Sequence, residues 1–124
     1  MKGTIISGNS APEGSETFAR SVRYVTAGNF NIFGHNGSSG VEGFSPGTTD
    51  IVPSRPLSEI LDTGLANNGG PTRTHALVAG SPAVDAINDG TCPPPAKDQR
   101  GVRRPQDGNG DGGPACDIGS VERP

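Results

Sequence analysis

LANNGGPTRTHALVAGSPAVDAI (residues 65–87) and CPPPAKDQRGVRRPQDGNGDGGPACDIGSVE (residues 92–122) are the stretches on which the fold class turns. They are crowded with Gly, Pro, Asn and Asp, hold both cysteines of the chain, and contain no long apolar run. Such a segment cannot make a helical bundle, because Pro removes a backbone donor and Gly adds entropy to the unfolded chain. It predicts a loop-rich module pinned by turns, polar contacts and a covalent cross-link.

The whole chain shares this character. With 20 Gly and 12 Pro in 124 residues, turns dominate, and Leu, Ile, Val and Phe together make up under a fifth of the sequence. That composition borders on disorder, but a net charge of only −3 argues against a self-repelling coil. An architecture that lives on turns and a narrow apolar core is a solenoid. The weakly acidic balance excludes the basic footprint of a nucleic-acid binder; Arg100-Gly-Val-Arg103-Arg104 is short and is followed by Asp107 and Asp111.

The first region, residues 1–56, reads as the terminal coils of such a solenoid. Thr4 to Asn9 is a short strand closing in a turn, and Val22-Arg23-Tyr24-Val25 alternates as a half-buried strand does. Phe30 to Gly37 is a strand running into an Asn-Gly turn. Ile5-Ile6-Ser7-Gly8-Asn9 and Ile32-Phe33-Gly34-His35-Asn36 match at an offset of 27 residues, the length of one β-solenoid coil. Asn9, Asn29, Asn31 and Asn36 are expected to stack in the coil turns. The second region, residues 57–124, is the turn-rich capping module. In it Leu57, Ile60, Leu61 and Leu65 predict one or two helical turns stopped at Gly64, and Thr72 to Val78 predicts a strand. Ser81-Pro82 starts a further brief helical turn.

Five short motifs in order carry a family resemblance. Asn68-Gly-Gly-Pro71, Thr74-His-Ala-Leu77, Gly80-Ser-Pro-Ala-Val-Asp-Ala86, Asp98-Gln-Arg-Gly101 and Cys116-Asp-Ile-Gly-Ser-Val-Glu122 resemble the closing region of bacterial right-handed parallel β-helix surface proteins, the polymorphic-outer-membrane-protein-like and choice-of-anchor type. The resemblance implies an all-β fold: a short right-handed parallel β-helix of two or three coils with a loop-rich C-terminal cap and one or two short helices. It implies a secreted or cell-surface location and does not imply a known catalytic activity. The family's proteins carry more coils before this region. Met1-Lys2 leads directly into Gly3-Thr4-Ile5-Ile6, with no secretory signal and no membrane span, so the chain is expected to begin inside a larger structure.

Several groupings bear on chemistry. Cys92 and Cys116 are expected to form a disulfide; a zinc site or two free thiols are the alternatives, and only His35 and His75 would be at hand to complete a metal shell. Asp107, Asn109 and Asp111, with Gly112, follow the opening of a calcium loop, and Asp117 or Glu122 is the candidate to close the shell. The competing reading is a solvated Asp/Asn/Gly turn. Asp85, Asp98, Arg100, Arg103 and Glu122 are expected to form a structural ionic network; the alternative is the acid-base site of a β-helix polysaccharide lyase or hydrolase. There is no Trp to serve as a sugar platform in such a cleft, and the one Tyr is Tyr24. The expected function is a non-enzymatic structural or adhesive surface module. Its expected cofactor is none or Ca2+. Its expected partners are a glycan or surface protein and a second copy meeting the open N-terminal coil, with no nucleic acid.

Overall fold

Isoleucines at three points of the chain meet side by side. In the computed structural model, which describes residues 1–12, 14–20 and 25–124, β1 (Ile5–Ile6) pairs in parallel with β3 (Ile32–Phe33), in the register Ile5 to Ile32 and Ile6 to Phe33. Ile51 adds a parallel bridge on the far side of Ile32. The ladder alternates as parallel pairing requires. Ile32 N–H donates to the Thr4 carbonyl and Gly34 N–H to that of Ile6, while Phe33 N–H donates to Ile51 and Ile51 N–H to Asn31. A second small parallel sheet joins β2 (Thr17–Phe18) to β4 (Val41–Glu42). The repeat at offset 27 is therefore a real pairing.

These strands are only two residues long because turns follow at once. Asn36 and Gly37, both at positive φ, close the His35–Ser38 bridge, the backbone that an Asn-Gly pair adopts most readily. Gly34 allows the same chain to pass close by: a Cβ there would overlap the Ser38 carbonyl. Ile32 and Phe33 are fully buried, and Phe33 meets Phe44 edge-on at 5.7 Å between ring centroids.

The chain divides into two units, Met1–Leu57 and Ser58–Pro124. The second has little regular structure. Its pairings are single antiparallel bridges, among them Leu61 to Leu77, Ala66 to Thr74, Ile87 to Cys116 and Lys97 to Arg103. Ile60, Leu77, Ala83, Ile87, Cys116, Ile118 and Val121 supply its apolar core.

Helix is nearly absent, which corrects part of the expectation. The apolar spacing from Leu57 to Leu65 yields only a 3-10 turn at Leu57–Glu59. Leu61 is drawn into its bridge with Leu77, and Asp62 caps the Gly64 N–H with its own carboxylate, so the helix cannot propagate. Leu65 stays 54% exposed. Ser81 caps a single turn, its Oγ accepting the Ala83 N–H, and Asp85 at positive φ ends it. Thr72 to Val78 contributes two bridges rather than a strand. The strand expected at Val22 to Val25 falls largely outside the described residues, as does Tyr24.

Candidate functional site

The largest concentration of buried charge lies in the second unit. Residues 97–104 form a tight antiparallel loop closed by Asp98 N–H to Val102 O at 2.7 Å and Arg104 N–H to Ala96 O at 3.1 Å. Alternation along this loop turns Arg103 to solvent and Arg104 inward, to 6% side-chain exposure.

Asp98 anchors the loop. Its Oδ1 accepts the Arg100 and Val102 N–H groups, and its Oδ2 accepts Glu122 N–H at 2.9 Å and two guanidinium nitrogens of Arg100 at 2.8 and 2.9 Å. Arg100 also donates to the Glu122 carbonyl. Burial alone would raise the Asp98 pKa; the four donors, led by the Glu122 amide and the Arg100 side chain, outweigh it and hold the carboxyl below its usual value.

Glu122 is fully buried and has the opposite balance. Arg104 Nη1 lies 2.8 Å from Oε1, which also accepts the Asp117 N–H at 3.1 Å. Oε2 has no partner among the described residues, and neither does Arg104 Nε. Burial, then the neighbouring Asp117 carboxylate, push the Glu122 carboxyl up to about 7, against the pull of Arg104. Asp117 is also raised, first by burial, although its two oxygens accept Asp85 N–H at 2.7 Å and Arg123 N–H at 2.6 Å. Asp85 in turn accepts the amides of Gly108 and Asn109. Four acids thus stitch together segments separated by up to 32 residues.

Asp85, Asp98, Arg100 and Glu122 all belong to this arrangement as expected from sequence. Arg103 does not: it is exposed, and Arg104 takes the inward place. The apolar Val102, two residues before Arg104, was the available signal, since alternate residues share a side. Asp117, read as a calcium ligand, is instead 1% exposed and committed to backbone amides.

Asp107, Asn109 and Asp111 form an exposed loop closed by its own bonds. Asp107 accepts the amides of Gly110, Asp111 and Gly112, Asn109 that of Asp111, and Asp111 that of Gly113. Among the described residues, no three His, Cys, Asp or Glu side chains gather into a group able to hold a metal ion. Cys92 and Cys116 are joined as a disulfide with Cα atoms 5.6 Å apart. Closing a loop of 24 residues' separation stabilises the fold by about 3 kcal/mol in the chain-entropy model.

The first unit has its own polar centre, which sequence reading missed. Asp50 Oδ1 accepts the amides of Asn29 and Asn31 and the Asn31 side-chain N–H; Oδ2 accepts those of Gly28 and Gly47. Burial raises its pKa, but these donors lower it further, so the net shift is downward. Asn31 Oδ1 accepts the Thr4 N–H. Thr4, Asn31 and Asp50 each precede one of the three aligned isoleucines, so the polar ladder runs beside the apolar one. Of the four asparagines expected to stack, Asn31 alone joins it; Asn9 Nδ2 instead donates to Glu16. His35 Nδ1 sits 3.2 Å from Ser7 Oγ and 3.9 Å from Glu16 Oε1. Serine and acid thus converge on one ring nitrogen, whereas a relay needs them on opposite nitrogens. His75 Nδ1 is 2.8 Å from the Asp62 carbonyl, a structural contact.

No helix among the described residues is long and apolar enough to cross a membrane. The chain matches no protein-family model, no curated protein and no solved structure.

Proposed function

We propose that this chain is a non-enzymatic structural or adhesive surface module, the C-terminal end of a secreted right-handed parallel β-helix protein of the bacterial surface. The observation that carries the reading is the parallel alignment of Ile5, Ile32 and Ile51, with the Thr4–Asn31–Asp50 ladder beside it. Successive coils stacked in register give this arrangement, and their rigidity suits display of a surface. The chemistry of the second unit supports the same reading. Apart from Glu122 Oε2, its buried carboxylate oxygens accept backbone amides and arginines, which is how acids brace loops, and Glu122 is fully buried, out of hydrogen-bond reach of a substrate.

The activity side is tested by incubation with a panel of acidic and neutral polysaccharides. No new reducing ends and no unsaturated products are expected; reproducible release of either would overturn the non-enzymatic reading.

The partner side concerns β1. Its Ile5 N–H and C=O point away from β3 and, among the described residues, no strand pairs with this edge; a second copy meeting it about a two-fold axis is the proposed occupant. Sedimentation velocity at tens of micromolar should show a dimer, and a clean monomer would remove self-association from the proposal.

A further inference from the structure

A trough of about 290 Å³ opens on the first unit, lined by polar loops. Ser15, Ser38, Ser39 and Glu42 lie on its wall, with Gly14 and Gly40. Gly14 and Gly40 both have positive φ, and a Cβ at either would collide with a neighbouring side chain, on Phe18 and Glu16 respectively. Gly40 therefore lets the two loops approach closely, and Gly14 lets its own loop turn back on Phe18. The wall carries unused hydrogen-bonding capacity. Among the described residues, the Ser15 and Ser38 hydroxyls and the Glu42 carboxylate make no hydrogen bond or ion pair, whereas the unit's two other described acids, Glu16 and Asp50, are bound by amides.

An exposed aromatic residue, Phe18, lies outside the lining but beside it, next to the lining residue Gly14. Phe18 and Glu42 are register partners across β2 and β4. Partners in a parallel pair project to the same side of the sheet, and here that side faces outward, since Phe18 is 51% exposed and Glu42 is exposed while Thr17 and Val41 are half-buried. Phe18 also approaches the trough from the other direction: a Cβ on Gly14 would lie 2.9 Å from Phe18 Cβ.

We infer that this trough is a binding site for a neutral hexopyranoside. The inference rests on the adhesive reading above and gives it a ligand class. A pyranose has an apolar C–H face, which packs on an aromatic ring. It also has adjacent hydroxyls, which a carboxylate accepts through its two oxygens, and the serine hydroxyls can donate or accept as the ring requires. The volume sits at the lower limit of small-ligand sites, about 300 Å³, which suits a small glycoside rather than an extended chain. The Glu42 charge sets the preference within the class. A uronic acid would place like charge against like, so acidic sugars are disfavoured.

The test is a nuclear magnetic resonance titration with methyl β-galactopyranoside, methyl α-glucopyranoside and, separately, glucuronate. At least one neutral glycoside should shift the amide resonances of Phe18, Val41 and Glu42, with a dissociation constant in the millimolar range, and glucuronate should bind about tenfold or more weakly. Phe18→Ala should weaken the neutral glycoside by about tenfold, with an unchanged thermal melt because the ring is exposed. Glu42→Gln should also weaken it and should narrow the gap to glucuronate. Shifts absent from this face, or Phe18→Ala titrating like the parent, would overturn the site. Blank titrations on a folded protein would dispose of the sugar site alone. The scaffold reading is judged separately, by the polysaccharide and sedimentation experiments.

Discussion

Arg104→Met is expected to destabilise the second unit by about 3–5 kcal/mol at pH 8, the cost of removing one partner from a buried ion pair. Among the described residues Arg104 Nη1 is the only cation on Glu122 Oε1, and Nη2 donates to the Gly119 carbonyl at 2.8 Å. With the guanidinium gone, Glu122 must remain a buried anion beside Asp117 or take up a proton. The defect should therefore depend on pH. The Glu122 carboxyl titrates near 7 in the folded chain against 4.5 for its ordinary value. Because the folded pKa is the higher one, the folded state holds more protons between those values, and this group's contribution falls as pH rises from 4.5 to 7. At pH 5 both parent and variant carry a neutral Glu122, so the loss should shrink to that of the hydrogen bonds from Arg104 to backbone carbonyls. Glu122→Gln placed in the Arg104→Met background should recover most of the loss at pH 8, since an amide oxygen can still accept the Asp117 N–H without a buried charge. Urea denaturation followed by circular dichroism at pH 5 and pH 8 measures each case. A loss below about 1 kcal/mol at pH 8, the level of an exposed pair, would show that the Arg104–Glu122 contact does not hold the unit together.

Asp50→Ala should cost the first unit about 3 kcal/mol or more, because it strands amide donors that were bound to a charge. Gly28, Asn29, Asn31 and Gly47 would lose their common acceptor, and Asn31 Nδ2 would lose it as well. Asp50→Asn keeps the shape but turns one acceptor into a donor facing those N–H groups, so it should be similarly harmful. The pH dependence runs opposite to that of Glu122. The Asp50 pKa is lowered by folding, so its contribution is complete above 3.8 and is lost as pH falls through the folded value. Hydrogen exchange provides the local readout: the amides of Asn31, Ile32 and Phe33 should lose protection in Asp50→Ala. Unchanged protection there would mean that the loop from Gly28 to Asn31 holds without its acceptor.

These effects show which parts of the molecule were legible in the order of residues. The match between Ile5-Ile6 and Ile32-Phe33 announced a pairing, because parallel strands repeat their apolar pattern at the coil length. The Asn36-Gly37 turn and the Ser81 cap were equally plain, since each depends on the preferences of one or two residues. A disulfide was the favoured reading for two cysteines in a segment made of turns. The helix after Leu57 was over-read. Its spacing suited a helix, but the Leu61–Leu77 bridge claimed Leu61 for another partner.

The buried acids mark the limit of local reading. Composition and short-range preference decided that the chain would be nearly free of helix, rich in turns at Gly, Asn and Pro, and built on short strands, because those properties are set within a few residues. Folding alone selected Asp50 over the asparagines, Arg104 over Arg103, and a bracing role for Asp117 over a metal-binding one. Each of those choices depends on groups that arrive from roughly 5 to 32 positions away, backbone N–H groups for the acids and the Glu122 carboxylate with the Asp117 and Gly119 carbonyls for Arg104, and a carboxylate on a surface turn has the same local sequence as one that ends up buried beneath it.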